Sequence, residues 1–467
     1  MKILLIYPPH SIESEQKGLK GFSPPLGLMY IGTILSNDGH DVKIVDMDTT
    51  DMSFESVIKL IGDENFEGIG ISVFTRTRNI AYSIAKTIRA DFPNIYISLG
   101  GPHCCLLPDD AMIGCADSVV SGEAELIINK VFEEKLRGII NAPLPKNLDE
   151  IPFPDQELID VDNYGYLEGL KFASRVTSIS SSRGCPYNCS FCTRIKTMKS
   201  FRYRSAKNVF KEIKKLENEG FNGIWIIDDN FNALPNRVIE LCDMIKKEKI
   251  RMDFGFQGRF IDTPKMWNKL ARSGFCQMFG GIEHIKPEIV GYFNKYYNPN
   301  KWKDNVEIAV KQITDSNISL GGSIILGSPQ ESRDDASELI NWCYDIGVDV
   351  INTNELELVY GSQLWFDAVI NGFFPKERLH VRITELQEKE YLDEMFRLAW
   401  ELSIKNWGKI LKKIIRTKND KFTPIITAIR WKENEPDYFF NKGHDGYGYG
   451  KRSEIGKIIS PTFQNEP

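Results

Sequence analysis

The chain has 467 residues, of which 42% are hydrophobic and 26% are charged, and its formal net charge at pH 7 is -6. This balance is typical of a folded protein of about three domains, and the acidic charge argues against nucleic acid as the main partner. No apolar run approaches the ~18 residues of a membrane span. Pro8 and Pro9 interrupt the apolar first residues, which predicts a buried strand in a cytoplasmic protein rather than a signal peptide.

Short apolar runs alternate with helical patterns from residue 2 to about residue 135. Continuous apolar strands separated by helices predict parallel pairing, with both faces of the sheet covered. Residues 1–140 are therefore predicted as an α/β domain with a doubly wound parallel sheet, which binds ligands at the carboxyl ends of its strands. The predicted strands are Ile3–Tyr7, Asp41–Asp46, Gly68–Ser72, Tyr96–Leu99 and Ser118–Ser121, and the predicted helices are Leu26–Asp38, Phe54–Ile61, Asn79–Ala90 and Glu123–Glu134.

Residues 141–172 are predicted as a linker, ordered over its proline- and acid-rich part, 141–162. A second alternation of strands and helices follows in residues 173–380. Its six βα units are two short of a full eight-fold barrel, which predicts a partial (β/α)6 barrel with right-handed crossovers. The predicted strands are Val176–Ser180, Gly223–Asp228, Met252–Gln257, Met278–Glu283, Leu320–Leu326 and Val350–Leu358, and the predicted helices are Ala206–Glu219, Pro235–Lys247, Pro264–Ser273, Lys301–Ser316 and Asp334–Ile346.

Residues 381–467 are predicted as a C-terminal helical region and tail. Apolar residues at a spacing of three or four predict an amphipathic helix within 385–416, through Tyr391, Met395, Leu398 and Leu402. Its basic side is either a solvated face or a docking surface for an electron donor, and it carries Lys412, Lys413 and Arg416. The glycine-rich segment His444–Gly450 is either a loose tail or a lid over the substrate.

Three cysteines with the spacing C-x3-C-x2-C follow the first predicted barrel strand: Cys185, Cys189 and Cys192. Three thiolates can hold three irons of a cubane cluster and leave the fourth iron open to an exogenous ligand. Gly184 and Pro186 favour a loop, and barrel active sites lie on such βα loops. A structural zinc loop is the alternative, but zinc sites usually pair two C-x2-C halves or add histidines. The odd total of nine cysteines also favours metal binding over a disulfide framework.

With the aromatic residue Phe191, this loop resembles the C-x3-C-φ-x-C signature of the radical S-adenosylmethionine (SAM) superfamily. The resemblance implies a [4Fe–4S] cluster whose open iron chelates SAM. An electron from a flavodoxin- or ferredoxin-type donor then cleaves SAM to a 5′-deoxyadenosyl radical, which abstracts hydrogen from the substrate. The SAM contacts that the resemblance implies are Phe191, Asp229, Glu283, Gly327 and Glu331. For Glu283 and Glu331 the alternative to a SAM contact is a surface or capping carboxylate.

Glycines and small polar residues end the predicted strands of the first domain, where paired glycines would let a large ligand approach the backbone closely. This pattern resembles the cobalamin-binding domain of class B radical SAM enzymes over about residues 1–135. The cobalamin contacts that the resemblance implies are Ser72, Thr75, Gly100, Gly101 and Glu123.

The sequence Tyr7-Pro8-Pro9-His10-Ser11 departs from D-x-H-x-x-G, whose histidine ligates cobalt in other cobalamin domains. We therefore expect base-off cobalamin without a histidine ligand. Arg76 or Arg78 either faces the lower side of cobalt or is exposed, and His103 is interpreted as a loop or polar-core histidine. The other cysteines are interpreted as free thiols with no second cluster: Cys104 and Cys105, partly buried, and Cys115, Cys242, Cys276 and Cys343, buried on apolar segments.

The leading hypothesis is a cobalamin-dependent radical SAM methyltransferase that methylates an unactivated carbon of a small molecule or peptide. The first alternative is a radical cyclase or rearrangement enzyme of the Mg-protoporphyrin monomethyl ester cyclase type. A non-catalytic cobalamin or redox sensor is an alternative of another class, against which the intact cysteine loop argues. Methylthiotransferases need three more cluster cysteines in the first domain, and Cys104, Cys105 and Cys115 are too closely spaced for that role.

Overall fold

The computed structural model describes residues 1–402, except 10–22, 48, 51, 168–169, 172–174, 194–199, 261–263, 387–390 and 400. The chain divides into two compact units, Met1–Tyr166 and Leu167–Pro467. None of the helices in the described part of the chain has the length and apolar character needed to cross a membrane. Of the predicted helix within 385–416, residues 385–386, 391–399 and 401–402 are helical. Lys412, Lys413, Arg416 and the segment His444–Gly450 lie outside the described residues.

The first unit contains a six-stranded parallel sheet in the order β2-β1-β3-β4-β5-β6. The strand order reverses between β1 and β3. A doubly wound sheet forms its ligand crevice at such a point, outside the carboxyl ends of the strands. The predicted fold is confirmed. The strands are β1 Lys2–Tyr7, β2 Asp41–Asp46, β3 Gly68–Ser72, β4 Tyr96–Gly100, β5 Ser118–Ser121 and β6 Gly138–Asn141, and the helices are α1 Leu26–Asn37, α2 Phe54–Glu64, α3 Arg78–Asp91, α4 Pro102–Leu106, α5 Pro108–Ala111 and α6 Ile128–Glu133.

Several features of the first unit differ from the prediction. The single predicted helix Glu123–Glu134 is instead a 3-10 turn, Ala124–Leu126, followed by α6. Helices α4 and α5 and strand β6 were not predicted, because each is too short to show a clear hydrophobic period.

The proline-rich segment after β6 is ordered against the first unit. It contains three 3-10 turns, Leu148–Glu150, Gln156–Leu158 and Val161–Asn163. The buried Tyr164 hydroxyl donates to Asp46 Oδ2 at 2.7 Å, and the Asp155 backbone N–H donates to Thr33 Oγ1 at 2.7 Å. These polar contacts attach a segment that has little regular structure of its own.

The second unit contains six parallel strands that pair in chain order, β9-β12-β13-β14-β15-β16, which confirms the predicted partial barrel. The predicted strand Val350–Leu358 is divided into β16 and β17, and β17 pairs antiparallel with β18. The strands are β7 Tyr166–Leu167, β8 Leu170–Lys171, β9 Val176–Ile179, β10 Ser182–Arg183, β11 Arg202–Tyr203, β12 Gly223–Ile226, β13 Asp253–Gly258, β14 Phe275–Glu283, β15 Ser319–Leu326, β16 Val350–Glu355, β17 Glu357–Val359 and β18 His380–Arg382. The helices described are α7 Ala206–Asn218, α8 Pro235–Lys247, α9 Pro264–Arg272, α10 Pro287–Tyr292, α11 Trp302–Asp315, α12 Arg333–Asp345, α13 Gln363–Ile370 and α14 Ile383–Leu386.

Large rings on this sheet lie over glycines of the neighbouring strand. Trp225 of β12 pairs in register with Gly255 of β13, where a Cβ would lie 2.3 Å from its ring. Phe279 of β14 and Gly321 of β15 repeat the arrangement, again with 2.3 Å. A side chain at either glycine would displace a packed ring, so these pairs require glycine and fix the packing of neighbouring strands.

Candidate active site

A buried carboxylate fixes the chain segment that leads into the cysteine loop. Asp228, 1% exposed, follows β12 and accepts hydrogen bonds from the backbone N–H groups of Ser181 and Ser182 at 2.6 and 3.0 Å. Both serine hydroxyls donate to its other oxygen, at 2.5 and 2.7 Å. Arg237 of α8 donates to the Ser181 carbonyl at 2.9 Å. These bonds fix the backbone three to four residues before Cys185.

The three cysteines lie on the loop after β10, are all half-buried and form no disulfide in the described structure. The backbone N–H of Cys192 donates to the Cys189 carbonyl at 3.1 Å, which tightens the end of the loop. Burial raises the pKa of Cys185, and the nearby carboxylate of Asp229 adds to this effect. Cys185 is therefore a protonated thiol in the free protein, and binding a metal there must displace a proton.

Residues 292–294, at the end of α10 and just after it, bind the middle of the cysteine loop. The Ser190 backbone N–H donates to the Phe293 carbonyl at 2.9 Å, and its hydroxyl donates to the Tyr292 carbonyl at 2.6 Å. The Asn294 amide donates to the Asn188 carbonyl at 2.7 Å. Because the loop is bonded at both Asn188 and Ser190, its shape is set by the surrounding fold.

Phe191, a predicted SAM contact, is half-buried, and its ring packs edge-on against Phe293 with centroids 5.4 Å apart. Asp229, another predicted SAM contact, is half-buried and close enough to Cys185 to influence that thiol's pKa. The structure thus brings these two predicted residues to the cysteine loop.

Glu283, at the end of β14, is 7% exposed and pairs with Lys295, with Oε1 and Nζ 2.9 Å apart. A Cβ at Gly281 would lie 2.1 Å from the Glu283 carboxylate oxygen, so only glycine leaves room for this pair. The backbone of Glu283 has φ +62°, a conformation that a non-glycine residue seldom adopts. Strain of this kind is found preferentially at functional sites.

Glu331 is turned toward its own loop. Its Oε2 accepts a hydrogen bond from the Ser328 backbone N–H at 3.0 Å and another from the Gly327 N–H. Gly327 has φ +89° and a Cβ there would lie 2.6 Å from Ile383. Among the described contacts, this carboxylate shapes the loop after β15, which matches the capping alternative.

His284 follows Glu283 and is 1% exposed. Its Nδ1 accepts from the Lys286 backbone N–H at 3.0 Å, so the proton of the neutral ring is on Nε2. That N–H has no hydrogen-bond partner in the described part of the chain, and Glu331 Oε1 lies 3.8 Å away. A buried donor without an acceptor at a strand end favours a polar ligand there.

In the first unit, the loop after β3 meets the turn after β4. Gly101 has φ +107°, and a Cβ there would lie 2.9 Å from the Val73 carbonyl and 3.2 Å from Ser72 Oγ. A Cβ at the predicted cobalamin contact Gly100 would meet nothing within 4 Å. The glycine pair therefore serves two purposes, a tight turn and an open approach to the backbone.

His103, at the start of α4, is fully buried in a polar network rather than available to a metal. Its Nε2 lies 2.8 Å from Asp110 Oδ2, and its Nδ1 lies 3.2 Å from Thr75 Oγ1. The Tyr82 hydroxyl donates to the same carboxylate at 2.9 Å. Burial lowers the pKa of His103, against the opposing effect of Asp110, so the neutral ring positions Thr75. The interpretation of His103 as a polar-core residue is confirmed.

The other residues named from the sequence are located as follows. Ser72, at the end of β3, is buried, and Glu123, after β5, is half-buried. Arg78 donates to the Thr75 carbonyl at 2.7 Å. Arg76 is half-buried on the same loop. None of the remaining cysteines forms a disulfide among the described residues; Cys105 is half-buried, whereas Cys104, predicted to be partly buried, is fully buried, as Cys115, Cys242, Cys276 and Cys343 are buried.

Sequence reasoning missed residues that contact the cysteine loop, Arg259 and Asn294, and Lys295, which pairs with the predicted SAM contact Glu283. Arg259, which follows β13, has its guanidinium carbon 4.0 Å from the ring centroid of Tyr187. Lys295 and Asn294 come from the turn after α10. Arg259 stands at a strand end next to glycine and could have been noticed, whereas Lys295 and Asn294 lie in a connection that no local pattern distinguishes.

The donor set fits the cofactors that the sequence implies. Three thiols without disulfide partners suit three irons of a cubane cluster. The unpartnered His284 N–H offers a polar contact at the mouth of the barrel, and the open space at Gly100 suits a large planar ligand.

Comparison with known proteins agrees with this reading. Residues 179–343 match the Radical SAM superfamily, and residues 18–131 match the B12 binding domain. An uncharacterized methyltransferase of Pyrococcus horikoshii is 31% identical over 397 residues, which cover 80% of this chain and 84% of that protein. The anaerobic magnesium-protoporphyrin IX monomethyl ester cyclase of Cereibacter sphaeroides is 25% identical, over 75% of this chain and 61% of that protein.

Among solved structures, the radical S-adenosylmethionine methyltransferase TsrM from Kitasatospora setae is similar to this chain with a TM-score of 0.63. The two chains are 16% identical, and the match covers 79% of this chain and 76% of TsrM. At this identity the similarity establishes a shared fold.

Proposed function

Because the chain belongs to the cobalamin-binding family of radical SAM enzymes, we propose that it transfers a methyl group to an unactivated carbon. The observation that carries the proposal is the presence in one chain of an intact three-cysteine loop at the barrel mouth and a glycine-lined strand edge in the first unit. A radical cyclase of this family would have the same features. The similarity over most of both chains to a protein named as an uncharacterized methyltransferase favours methyl transfer.

When bound, the cluster and SAM supply a 5′-deoxyadenosyl radical that abstracts hydrogen, and cobalamin supplies the methyl carrier. An unactivated carbon has no lone pair to attack SAM, which explains why both cofactors are needed. The protein's part is to bind, orient and exclude water. Cys185, Cys189 and Cys192 are the proposed cluster ligands.

The proposed SAM contacts lie on four strand ends of the barrel. Phe191 belongs to the cysteine loop and Asp229 lies close to Cys185, Glu283 is held in place by Lys295, and the loop of Gly327 is shaped by Glu331. Glu331 is thus proposed to act on SAM chiefly through its loop. The carboxyl ends of parallel strands meet at one edge, where barrel enzymes assemble their sites.

For cobalamin, the proposed contacts are Ser72, Thr75, Gly100, Gly101 and Glu123. Both ring nitrogens of His103 are within reach of partners inside the first unit, which supports binding in the base-off state without that histidine as a cobalt ligand. Electron paramagnetic resonance of the cob(II)alamin form tests this proposal. Nitrogen superhyperfine splitting from a protein ligand would contradict it.

The electron required for SAM cleavage is proposed to come from a flavodoxin- or ferredoxin-type protein, and the substrate is proposed to be a small molecule or peptide. Neither a reductase domain nor a second cluster is indicated by the residues described. Chemical reductants can replace the donor in the assay below.

The test of methyl transfer uses anaerobically reconstituted enzyme, titanium(III) citrate, methyl-deuterated SAM and a metabolite extract of the source organism. We expect a product that carries a trideuteromethyl group, with 5′-deoxyadenosine and S-adenosylhomocysteine formed in equal amounts. A product of altered mass without the label, formed without stoichiometric S-adenosylhomocysteine, would establish the cyclase or rearrangement reaction instead.

Two variants distinguish loss of the cluster from a general effect on folding. Cys189→Ala should lose the cluster and all 5′-deoxyadenosine formation. Cys343→Ala removes a fully buried thiol of the same unit that lies outside the loop, and it should keep both. Formation of 5′-deoxyadenosine by the Cys189→Ala protein would refute the assignment, and absence of this product from wild-type enzyme would favour the sensor.

A further inference from the structure

A charged side chain lies buried beside the cysteine loop without an ionic partner. Arg259 is 7% exposed at the end of β13. No carboxylate among the described residues lies within ion-pair distance of its guanidinium, whereas the neighbouring Lys295 is paired with Glu283. A buried cation without a counter-ion is costly, so a compensating negative charge is expected in the working enzyme.

The contacts that Arg259 does make are aromatic. Its guanidinium carbon lies 4.0 Å from the ring centroid of Tyr187 and 5.5 Å from that of Trp302. It also donates a hydrogen bond to the Lys295 carbonyl. Tyr187 stands between Cys185 and Cys189 in the sequence, so the stacked ring belongs to the loop that holds the proposed ligands. Ring faces attract cations but do not neutralise them.

Two hydrogen bonds with Asn232 fix the backbone of Arg259. The Asn232 amide, fully buried, donates to the Arg259 carbonyl at 2.7 Å and accepts from the Arg259 N–H at 2.9 Å. A Cβ at Gly258 would lie 2.3 Å from Asn232 Oδ1, so glycine is needed before the arginine. The charge is thereby held next to the loop before any cofactor arrives, without reorganisation on binding.

We propose that Arg259 is the counter-charge of the iron–sulfur cluster and raises its reduction potential. Three thiolates give a cubane cluster a net negative charge, and reduction adds one more, so a fixed cation stabilises the reduced form more than the oxidised form. Net charge and local environment are established determinants of cluster potentials. The inference rests on the proposed function only in requiring that the three cysteines bind a cluster.

The test is potentiometric titration of the reconstituted full-length enzyme, followed by electron paramagnetic resonance, without SAM and with SAM. Arg259→Gln should retain full iron and have about a tenfold smaller ratio of reduced to oxidised cluster at a fixed potential, or about 59 mV for this one-electron couple. Arg259→Lys, which keeps the charge, should restore most of the shift. Arg175→Gln is the matched control, because Arg175 stacks on Phe221 at 4.5 Å before β9, at the other end of the strands.

An unchanged potential in Arg259→Gln at full iron content would overturn the proposal, as would an equal shift in Arg259→Lys. A shift that appears only with SAM would overturn it in favour of pairing between Arg259 and the SAM carboxylate. Loss of iron from both variants in an otherwise folded protein would show a role in ligation and would also contradict it. The proposed function fails separately, if wild-type enzyme binds no cluster or transfers no methyl group.

Discussion

Replacing Asp228 with alanine should destabilise the second unit by about 3–5 kcal/mol, because it leaves two buried backbone N–H groups without acceptors. The carboxylate accepts four hydrogen bonds of 2.5–3.0 Å, from the N–H and hydroxyl groups of Ser181 and Ser182. Each bond to a charged group contributes about 1.5–3 kcal/mol, but the hydroxyls can turn to other acceptors. Asp228→Asn keeps one acceptor oxygen for the N–H groups and should cost about 1–2 kcal/mol.

Urea unfolding followed by tryptophan fluorescence measures this loss, because all eight tryptophans lie beyond residue 166 and report only the second unit. The control is Asp243→Ala, whose carboxylate is 61% exposed and pairs with Lys269 at the surface. Such a pair contributes about 1 kcal/mol or less. Asp228→Ala should also release iron faster to a chelator. If Asp228→Ala unfolds at the same urea concentration as the control, the carboxylate does not hold the loop as argued.

Three further predictions concern other parts of the chain. Gly101→Ala should weaken cobalamin binding at least about tenfold, because positive φ and a crowded carbonyl strain any side chain there; Gly114→Ala, with nothing within 4 Å, should bind normally, and equal affinities would refute the argument. Burial raises the pKa of Cys242 to about 12, so native protein at pH 8 should resist its alkylation, and labelling at the rate of a free thiol would contradict this. Burial raises the pKa of Asp335, but hydrogen bonds from Lys286 and Ser332 outweigh it and lower the pKa to about 2. This stabilisation is complete above an unfolded-state pKa of about 3.9 and is lost as the pH falls towards 2. The free energy of unfolding measured in urea should therefore fall less steeply with acidification in Asp335→Asn than in the wild-type protein; an equal pH dependence would contradict this.

The strands and helices of both units were largely predictable because their signals are local. Asp41–Asp46, Gly68–Ser72 and Pro235–Lys247 agree with the structure residue for residue, since each is a continuous apolar or amphipathic run with clear ends. Helices such as Pro102–Leu106 were missed because five residues span little more than one helical turn.

The proposed cluster ligands could be named from the sequence because their spacing lies within one loop. Glu331 illustrates the limit of a resemblance: its position at a strand end suggested a SAM contact, yet its carboxylate accepts hydrogen bonds from N–H groups three and four residues earlier. The local sequence predicted that Glu331 lies at the end of a strand, but the direction of its side chain depends on the loop around it.

The sequence by itself determined the cofactor class, through three cysteines within eight residues, and the fold class, through the alternation of buried strands and amphipathic helices. Only the tertiary structure decided what surrounds the cysteine loop. Asn294 contacts Asn188 across 106 residues, and Asp228 contacts Ser181 across 47. Such pairs carry no period or spacing, because they come together only when parallel strands align their carboxyl ends at one edge. The same alignment places Arg259, which has no ion pair among the described residues, against Tyr187.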